Sequence, residues 1–246
     1  MEFYKYRDLQ CTRLDEHSEL VVACDSLGGI GPMDLDLVSC PAEISGYFTA
    51  MVVLAELLAY GAVPTLVVDN LCFSMEPYGK DALKGIQRAL EESGYPHCPV
   101  TGSTEDNIPV RQTAMGMTIL GVASIKQRKK RILQSGDSCY LVGIPLVGNQ
   151  VLKNLGNIKT LEHLALFNQL EWIGDLLPVG SKGVRAEMLE MGRTHSKEWQ
   201  LEEVESDLLE RSAGPATCFL IAGNENRLKD AFQKHELQAI KTGIVR

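Results

Sequence analysis

One stretch, between Pro41 and Gly61, limits most strongly what this chain can become. Pro41 suits the first turn of a helix, where its missing N–H is not needed, Glu43 complements the positive helix end, and Gly61 stops the run. Ile44, Tyr47, Phe48, Met51, Val52, Ala55 and Leu58 recur at helical spacing on one face. On either side lie strands. Leu20-Val21-Val22-Ala23-Cys24, within Glu19–Asp25, is a short continuous apolar run of the buried-strand kind. Residues 4–14, ending in the turn-like Asp15-Glu16-His17, read as its hairpin partner. Thr65-Leu66-Val67-Val68 opens a strand to about Phe73, a helix spans about Tyr78 to Ser93 with Gly94 as its stop, and residues 112–123 read as another strand. Ser26 to Pro32 is too rich in glycine and proline for regular structure and reads as a loop. The order β-β-α-β-α-β over residues 1–124 describes an α/β sandwich unit.

A second pattern begins at Gly136. Residues 138–144 read as a strand, followed by helical stretches near 150–171, 181–192 and 197–211. A strand at 216–222, a helix near 225–236 and a strand at 239–245 complete it. Between the two patterns, residues 126–131 carry five positive charges in Lys-Gln-Arg-Lys-Lys-Arg. Such a run fits a phosphate patch or nuclear signal, or a solvated linker, and the acidic surroundings favour the linker. The domain boundary falls near 126–135, dividing residues 1–125 from 136–246.

Composition excludes more than it identifies. Thirty-two acidic against 24 basic residues give a net charge of −8, which disfavours nucleic acid and anionic membrane as partners. The uninterrupted apolar runs stay below the ~18 residues of a membrane span. The polar N-terminus, MEFYKYRDLQ, lacks a signal peptide's apolar core, so the expected compartment is the cytoplasm. Seven cysteines at wide spacing, without a CxxC, suit reduced and mostly buried thiols. His97-Cys98 is a poor dyad, because adjacent residues between Pro96 and Pro99 rarely face each other.

The familiar nucleotide signatures fail. Residues 143–148 have the glycine spacing of a phosphate loop, but Asn149-Gln150 replaces its Lys-Ser/Thr. Gly29-Ile30-Gly31 lacks the third glycine of a dinucleotide fingerprint, and Pro32 removes an amide. Acids at strand ends and in glycine loops remain: Asp25 before Gly28-Gly29, Asp69 on the strand after Pro64, and Glu105 with Asp106 after Thr101-Gly102-Ser103-Thr104. Carboxylates converging from several strand ends suit a hard divalent cation, which in turn bridges the oxygens of ATP. Glycine loops let backbone amides approach the phosphates.

This order resembles the family of aminoimidazole-ribonucleotide synthetase, thiamine-monophosphate kinase and selenophosphate synthetase. The resemblance lies in Val21-Val22-Ala23-Cys24-Asp25-Ser26-Leu27-Gly28-Gly29, in Glu56-Leu57-Leu58-Ala59-Tyr60-Gly61-Ala62-Val63-Pro64, in Val67-Val68-Asp69 and in Thr101-Gly102-Ser103-Thr104. The second half adds Ser135-Gly136-Asp137 and the closing Thr242-Gly243-Ile244-Val245. The resemblance implies a two-domain α/β (α+β) fold. Its N-terminal domain would form a dimeric barrel that binds ATP and magnesium, and its C-terminal domain an α/β sandwich. It implies Asp25, Asp69, Glu105, Asp8 and Glu56 as metal ligands, Gly28, Gly29, Gly102, Ser103, Thr104 and Asn107 as nucleotide-binding positions, and a homodimer. Departures exist. Ser103 replaces the acid of the family's glycine-rich loop, the helix acid falls on the longer Glu56, and the opening acidic element is reduced to Arg7-Asp8.

The strings Ala23–Gly31 and Thr101–Pro109 most resemble the α-ribazole kinases of cobalamin lower-ligand salvage. That implies an ATP-dependent kinase acting on a 5′-hydroxyl of a nucleoside-like small molecule, with Phe73, Met75 and Tyr78 offering apolar surface to the base. A thiamine-monophosphate-kinase-like enzyme and a non-catalytic nucleotide-binding protein are the alternatives.

Overall fold

The structure, a computed structural model, describes residues 2–128, 131–205 and 207–246. Two compact units divide it, residues 1–58 with 62–124, and residues 59–61 with 125–246. In the first, β1 (Phe3–Tyr6) and β2 (Leu9–Arg13) form a hairpin beside β3 (Ser18–Gly28). The segment expected as one strand is thus two, folded at Arg7, which takes a φ of 54°. The loop expected over residues 26–32 begins later, because β3 runs on to Gly28. Its backbone then forms a short parallel pair, β4 (Ile30–Gly31) with β5 (Val38–Ser39). After α1 (Ala42–Tyr60) come β6 (Ala62–Leu71), a π-helical turn at Met75–Gly79, α2 (Lys80–Glu92), β7 (Val100–Thr104) and β8 (Ala114–Ser124).

The strands join in one sheet of order β1-β2-β3-β8-β6-β7. Because β8 is antiparallel to both β3 and β6, and β7 is parallel to β6, the strands β3, β6 and β7 all point the same way. Val21, Ala23, Val67, Met117 and Ile119 make one face of the sheet fully buried. On the other, Leu20, Val22, Leu66, Leu120 and Val122 are half-buried and Val63 is 49% exposed.

The periodicity of α1 suggests one apolar face, yet the helix is buried almost all round, with Ala50, Val53, Leu54 and Leu57 as inaccessible as Met51 and Leu58. It is long and apolar enough to cross a membrane, but 78% of that stretch is buried inside the fold, the signature of a core helix. Its polar residues are satisfied internally: Thr49 Oγ1 donates to the Ser45 carbonyl and Ser45 Oγ to that of Ile30. Against α1 packs α2, and the crossing is made of glycine. A Cβ on Gly85 would lie 1.9 Å from the Glu43 carbonyl oxygen, and one on Gly46 would lie 2.1 Å from that of Ala82. Near this crossing Tyr47 donates to Glu92 at 2.5 Å while Arg88 lies 4.2 Å over the tyrosine ring.

The second unit begins with α3 (Ile125–Arg128); of the basic run, Lys129 and Lys130 lie outside the described residues. Then follow β9 (Ser138–Gly143), α4 (Asn149–Lys153), α5 (Thr160–Asn168), β10 (Asp175–Pro178), α6 (Val184–His195), β11 (Trp199–Leu201), β12 (Cys218–Gly223), α7 (Glu225–Lys234) and β13 (Ala239–Val245). They build an antiparallel sheet of order β10-β12-β9-β13-β11. Leu141, Leu177, Cys218 and Leu220 pack with Val184, Met188 and Met191 of α6. The helix expected over 197–211 is instead β11 followed by a short 3₁₀ turn at Leu208–Glu210. Its apolar spacing fits either state; pairing of Trp199 with Val245, and a 2.6 Å bond from the indole N–H to the Met188 carbonyl, decides for the strand. All seven cysteines are free; Cys11, Cys40, Cys139 and Cys218 are buried, Cys24 and Cys72 exposed.

Gly85→Ala is expected to destabilise the protein by about 1–3 kcal/mol, because the new methyl meets backbone that cannot swing aside. Denaturant unfolding measures it; an unchanged midpoint would mean that the two helices separate freely.

Candidate functional site

The common direction of β3, β6 and β7 brings their carboxyl ends to one end of the first unit's sheet. In open α/β sheets this is where loops are free to bind ligands. Register makes the arrangement specific. Met117 of β8 pairs with Asp25 on one side and with Asp69 on the other, and Asp69 pairs in turn with Gly102. Directly paired residues project to the same face, so both carboxylates rise from the buried face, two strand spacings or roughly 10 Å apart at their backbones.

Asp69 is only 4% exposed. Room for it comes from β7: a Cβ at Gly102 would fall 1.4 Å from Asp69 Oδ1. Only glycine allows this close approach. Burial pushes the Asp69 carboxyl above its ordinary range, opposed by a bond from its own backbone amide. Asp25 is pushed up by the same desolvation, opposed by the Ser26 amide. A buried carboxylate of this kind is stabilised by a cation, and two carboxylates with water and phosphate oxygens form the kind of donor set magnesium accepts. The residues therefore fit a divalent ion. Among the described residues no three His, Cys, Asp or Glu side chains are grouped to hold a metal alone.

Other expected positions fall as follows. Glu105 leaves β7 at the same end, but its Oε1 accepts from the amides of Asn107 at 2.7 Å and Ile108 at 3.0 Å, so that oxygen shapes its own turn. Its N–H bonds to the Leu71 carbonyl, directed toward β6. Strand alternation then turns the N–H groups of Gly102 and Thr104 to the free edge and that of Ser103 inward. Gly102, Ser103 and Thr104 are thus an edge strand rather than the loop expected. Gly28 ends β3 opposite Ala114, while the Gly29 amide is already bonded to the Thr113 carbonyl at 2.8 Å. Asp8 lies exposed in the β1–β2 turn, at the Asp25 end of β3. Glu56 is elsewhere. It precedes Leu57, which packs against Gly121, four residues or roughly 13 Å along β8 from Met117. Phe73 is 1% exposed and belongs to the core, whereas Met75 and Tyr78 are half-buried.

Two acids that sequence reasoning did not single out for these roles organise the rim. Asp106 accepts from the Met75 amide at 3.1 Å and from Thr104 Oγ1 at 2.5 Å, tying the exits of β6 and β7 together. Asp36 binds the loop after β4 to Thr113. The turn-forming spacing Thr104-x-Asp106 is a legible signal for the first; Asp36 has none, since its partner is 77 residues away.

Over residues 6–123 the chain matches the family model described as AIR synthase related protein, N-terminal domain. Its fold is similar to that of thiamine-monophosphate kinase from Stenotrophomonas maltophilia K279a, with a TM-score of 0.67, 15% identity, and coverage of 99% of this chain and 88% of that one. AaThiL complexed with AMPPCP and TMP gives 0.67 at 13% identity, covering 97% and 84%. T. maritima PurL complexed with ATP gives 0.65 at 15% identity; there 96% of this chain matches only 41% of the longer one. At such identities the likeness is one of fold. No curated protein matches the chain in sequence.

Because burial raises both carboxyl pKa values, protonation favours the fold. The cost of ionisation is present at neutral pH and is relieved as pH falls through the raised values. Asp69→Asn should therefore raise the metal-free melting temperature at pH 7, and by less in acid. Scanning calorimetry measures this; a fall in melting temperature would make Asp69 a structural acid with an internal partner.

Proposed function

We propose that this chain is an ATP-dependent kinase that transfers the γ-phosphoryl group to the 5′-hydroxyl of a nucleoside-like alcohol, with α-ribazole as acceptor. The observation that carries the reading is the placement of Asp25 and Asp69 either side of Met117, at the carboxyl ends of β3 and β6 and over the gap at Gly102. The matched family model supports it, as do similar folds whose structures hold ATP or AMPPCP.

Phosphoryl transfer asks the protein mainly for position and charge stabilisation. Magnesium, held by Asp25 and Asp69, would supply the positive charge that the acids cannot. The chain's own groups do the rest. The outward N–H groups of Gly102 and Thr104 donate to phosphate oxygens, preorganised because β7 is fixed along β6. Glu105 and Asp106 hold the β7 exit in shape. Met75 and Tyr78 offer apolar surface for the acceptor's base. The half-buried rows Val22–Leu120–Leu66 and Leu20–Val122, with the more exposed Val63, are the surface a second copy would cover, which supports a homodimer; the cytoplasm is the compartment expected for such a kinase.

A second reading has its own observation: Ser103 stands in place of an acid, and Glu105 uses one carboxylate oxygen within its own turn. A protein that binds nucleotide without turnover would look the same. The test incubates purified protein with ATP, with and without magnesium, and with α-ribazole, thiamine phosphate or formylglycinamidine ribonucleotide. Magnesium-dependent ADP formation with α-ribazole is expected. ADP with one of the other two reassigns the acceptor, and ATP binding without ADP in any mixture establishes the non-catalytic reading. Leu120→Asp should separate the dimer, seen as a halved mass by light scattering; an unchanged mass would place the interface elsewhere.

A further inference from the structure

We propose that Asp36 is a positioning residue for nucleotide binding, acting through Thr113, an inference that rests on the kinase reading. The segment from Gly29 to Cys40 has little regular structure, yet its backbone is tied down along its length. Gly29 N–H donates to the Thr113 carbonyl at 2.8 Å, and the amides of Leu37 and Val38 return to the Gly29 carbonyl. Leu35 N–H reaches the Arg111 carbonyl at 3.0 Å, and Cys40 N–H that of Gly31. Asp36 is the centre of this net. Its Oδ2 accepts from the Met33 amide at 2.9 Å and from Thr113 Oγ1 at 2.6 Å, and its Oδ1 from the Thr113 amide at 2.8 Å.

Thr113 is fully buried, and it lodges where Gly31 has no side chain, since a Cβ there would lie 2.3 Å from Thr113 Oγ1. It directly precedes β8, whose Met117 stands between the two acids, and its carbonyl holds the residue that follows β3. One carboxylate thereby fixes the glycine segment to the start of β8 and the end of β3, the strands that carry Met117 and Asp25. The same segment carries Leu35, 51% exposed, and Leu37, 88% exposed, although the backbone amides of both are hydrogen-bonded. A segment so anchored presents a ready-made wall to a ligand at the strand ends, and binding need not order it.

The experiment compares AMPPCP–magnesium binding by calorimetry, the KM for ATP and the melting temperature in wild type, Asp36→Ala, Asp36→Asn and Thr113→Val. Asp36→Ala should weaken AMPPCP binding and raise the KM for ATP roughly ten- to hundredfold, as misplacement of a binding loop does, with kcat changed far less. Asp36→Asn should recover part of this, because its amide can donate to the Thr113 hydroxyl while its oxygen keeps the Thr113 N–H. If Asp36→Ala does not fold, Thr113→Val, which keeps shape and backbone, provides the same comparison with a smaller effect. A lowered melting temperature with unchanged AMPPCP affinity and KM would leave Asp36 merely structural and overturn the inference. Failure of the wild type to bind AMPPCP would instead overturn the kinase reading on which it rests.

Discussion

Strand β8 is paired along its whole length with β3 on one side and from Met115 to Ala123 with β6 on the other, and the placement of the first unit's acids follows from that double pairing. Because side chains alternate with a period of two, a slip of one residue in either ladder would send Asp25 or Asp69 to the opposite face. The buried residues of β8, from Met115 through Met117 and Ile119 to Ala123, resist such a slip, since each would have to exchange with a half-exposed neighbour. The register that places the acids is thus enforced by apolar burial elsewhere on the same strands. The bulge between Pro64 and Leu66 occurs before Asp69, and from Leu66 to Leu71 the pairing is regular.

That enforcement is needed because the acids themselves oppose it. Each is desolvated enough to raise its pKa, and Asp69 is buried without a lysine or arginine among its pKa-determining neighbours. Two acids desolvated this way favour, when ionised, any event that brings positive charge, whereas a structural acid would bring its own partner. Glu225 in the second unit shows that other outcome. Bonds from Lys229 and then Lys241 hold its carboxyl down at about 2, and it joins α7 to β13. The contrast between a partnered acid and two desolvated ones is the physical basis for placing function at the end of the first sheet.

Much of this was legible in the sequence, and the rest was hidden for identifiable reasons. The apolar run at Leu20–Cys24, the caps of α1 and the final strand were readable because local chemistry and tertiary role agree there. Asp25 and Asp69 could be singled out as acids at strand ends, but their shared row required the β8 register, which no local pattern encodes. Strand β7 escaped because Thr101-Gly102-Ser103-Thr104 has the composition of a turn; Gly102 is there to clear Asp69, not to bend the chain. Strand β11 was misread because Trp199, Leu201 and Val204 suit a helix as well as a strand, and its partner β13, far along the chain, settles the matter. Asp36 gave no signal at all, being one of several acids in a loop whose partner lies far along the chain.

The distribution of charge then sets a condition on the proposed chemistry. The chain carries a net charge of −8, and the candidate site adds the buried Asp69 and the half-buried Asp25 to the region that would receive a polyanionic nucleotide. At an effective dielectric of about 20, like charges ~4 Å apart repel by roughly 4 kcal/mol, which takes about two backbone amides bonded to a charged oxygen to offset. Under the proposed function, nucleotide and ionised acids share this end of the sheet most favourably when cations enter with the nucleotide, so affinity for the magnesium complex of ATP should exceed that for free ATP. Under the same proposal, selectivity for the metal-bound form would follow from the desolvation of Asp25 and Asp69, and the edge at Gly102 and Thr104 would orient what the cations attract.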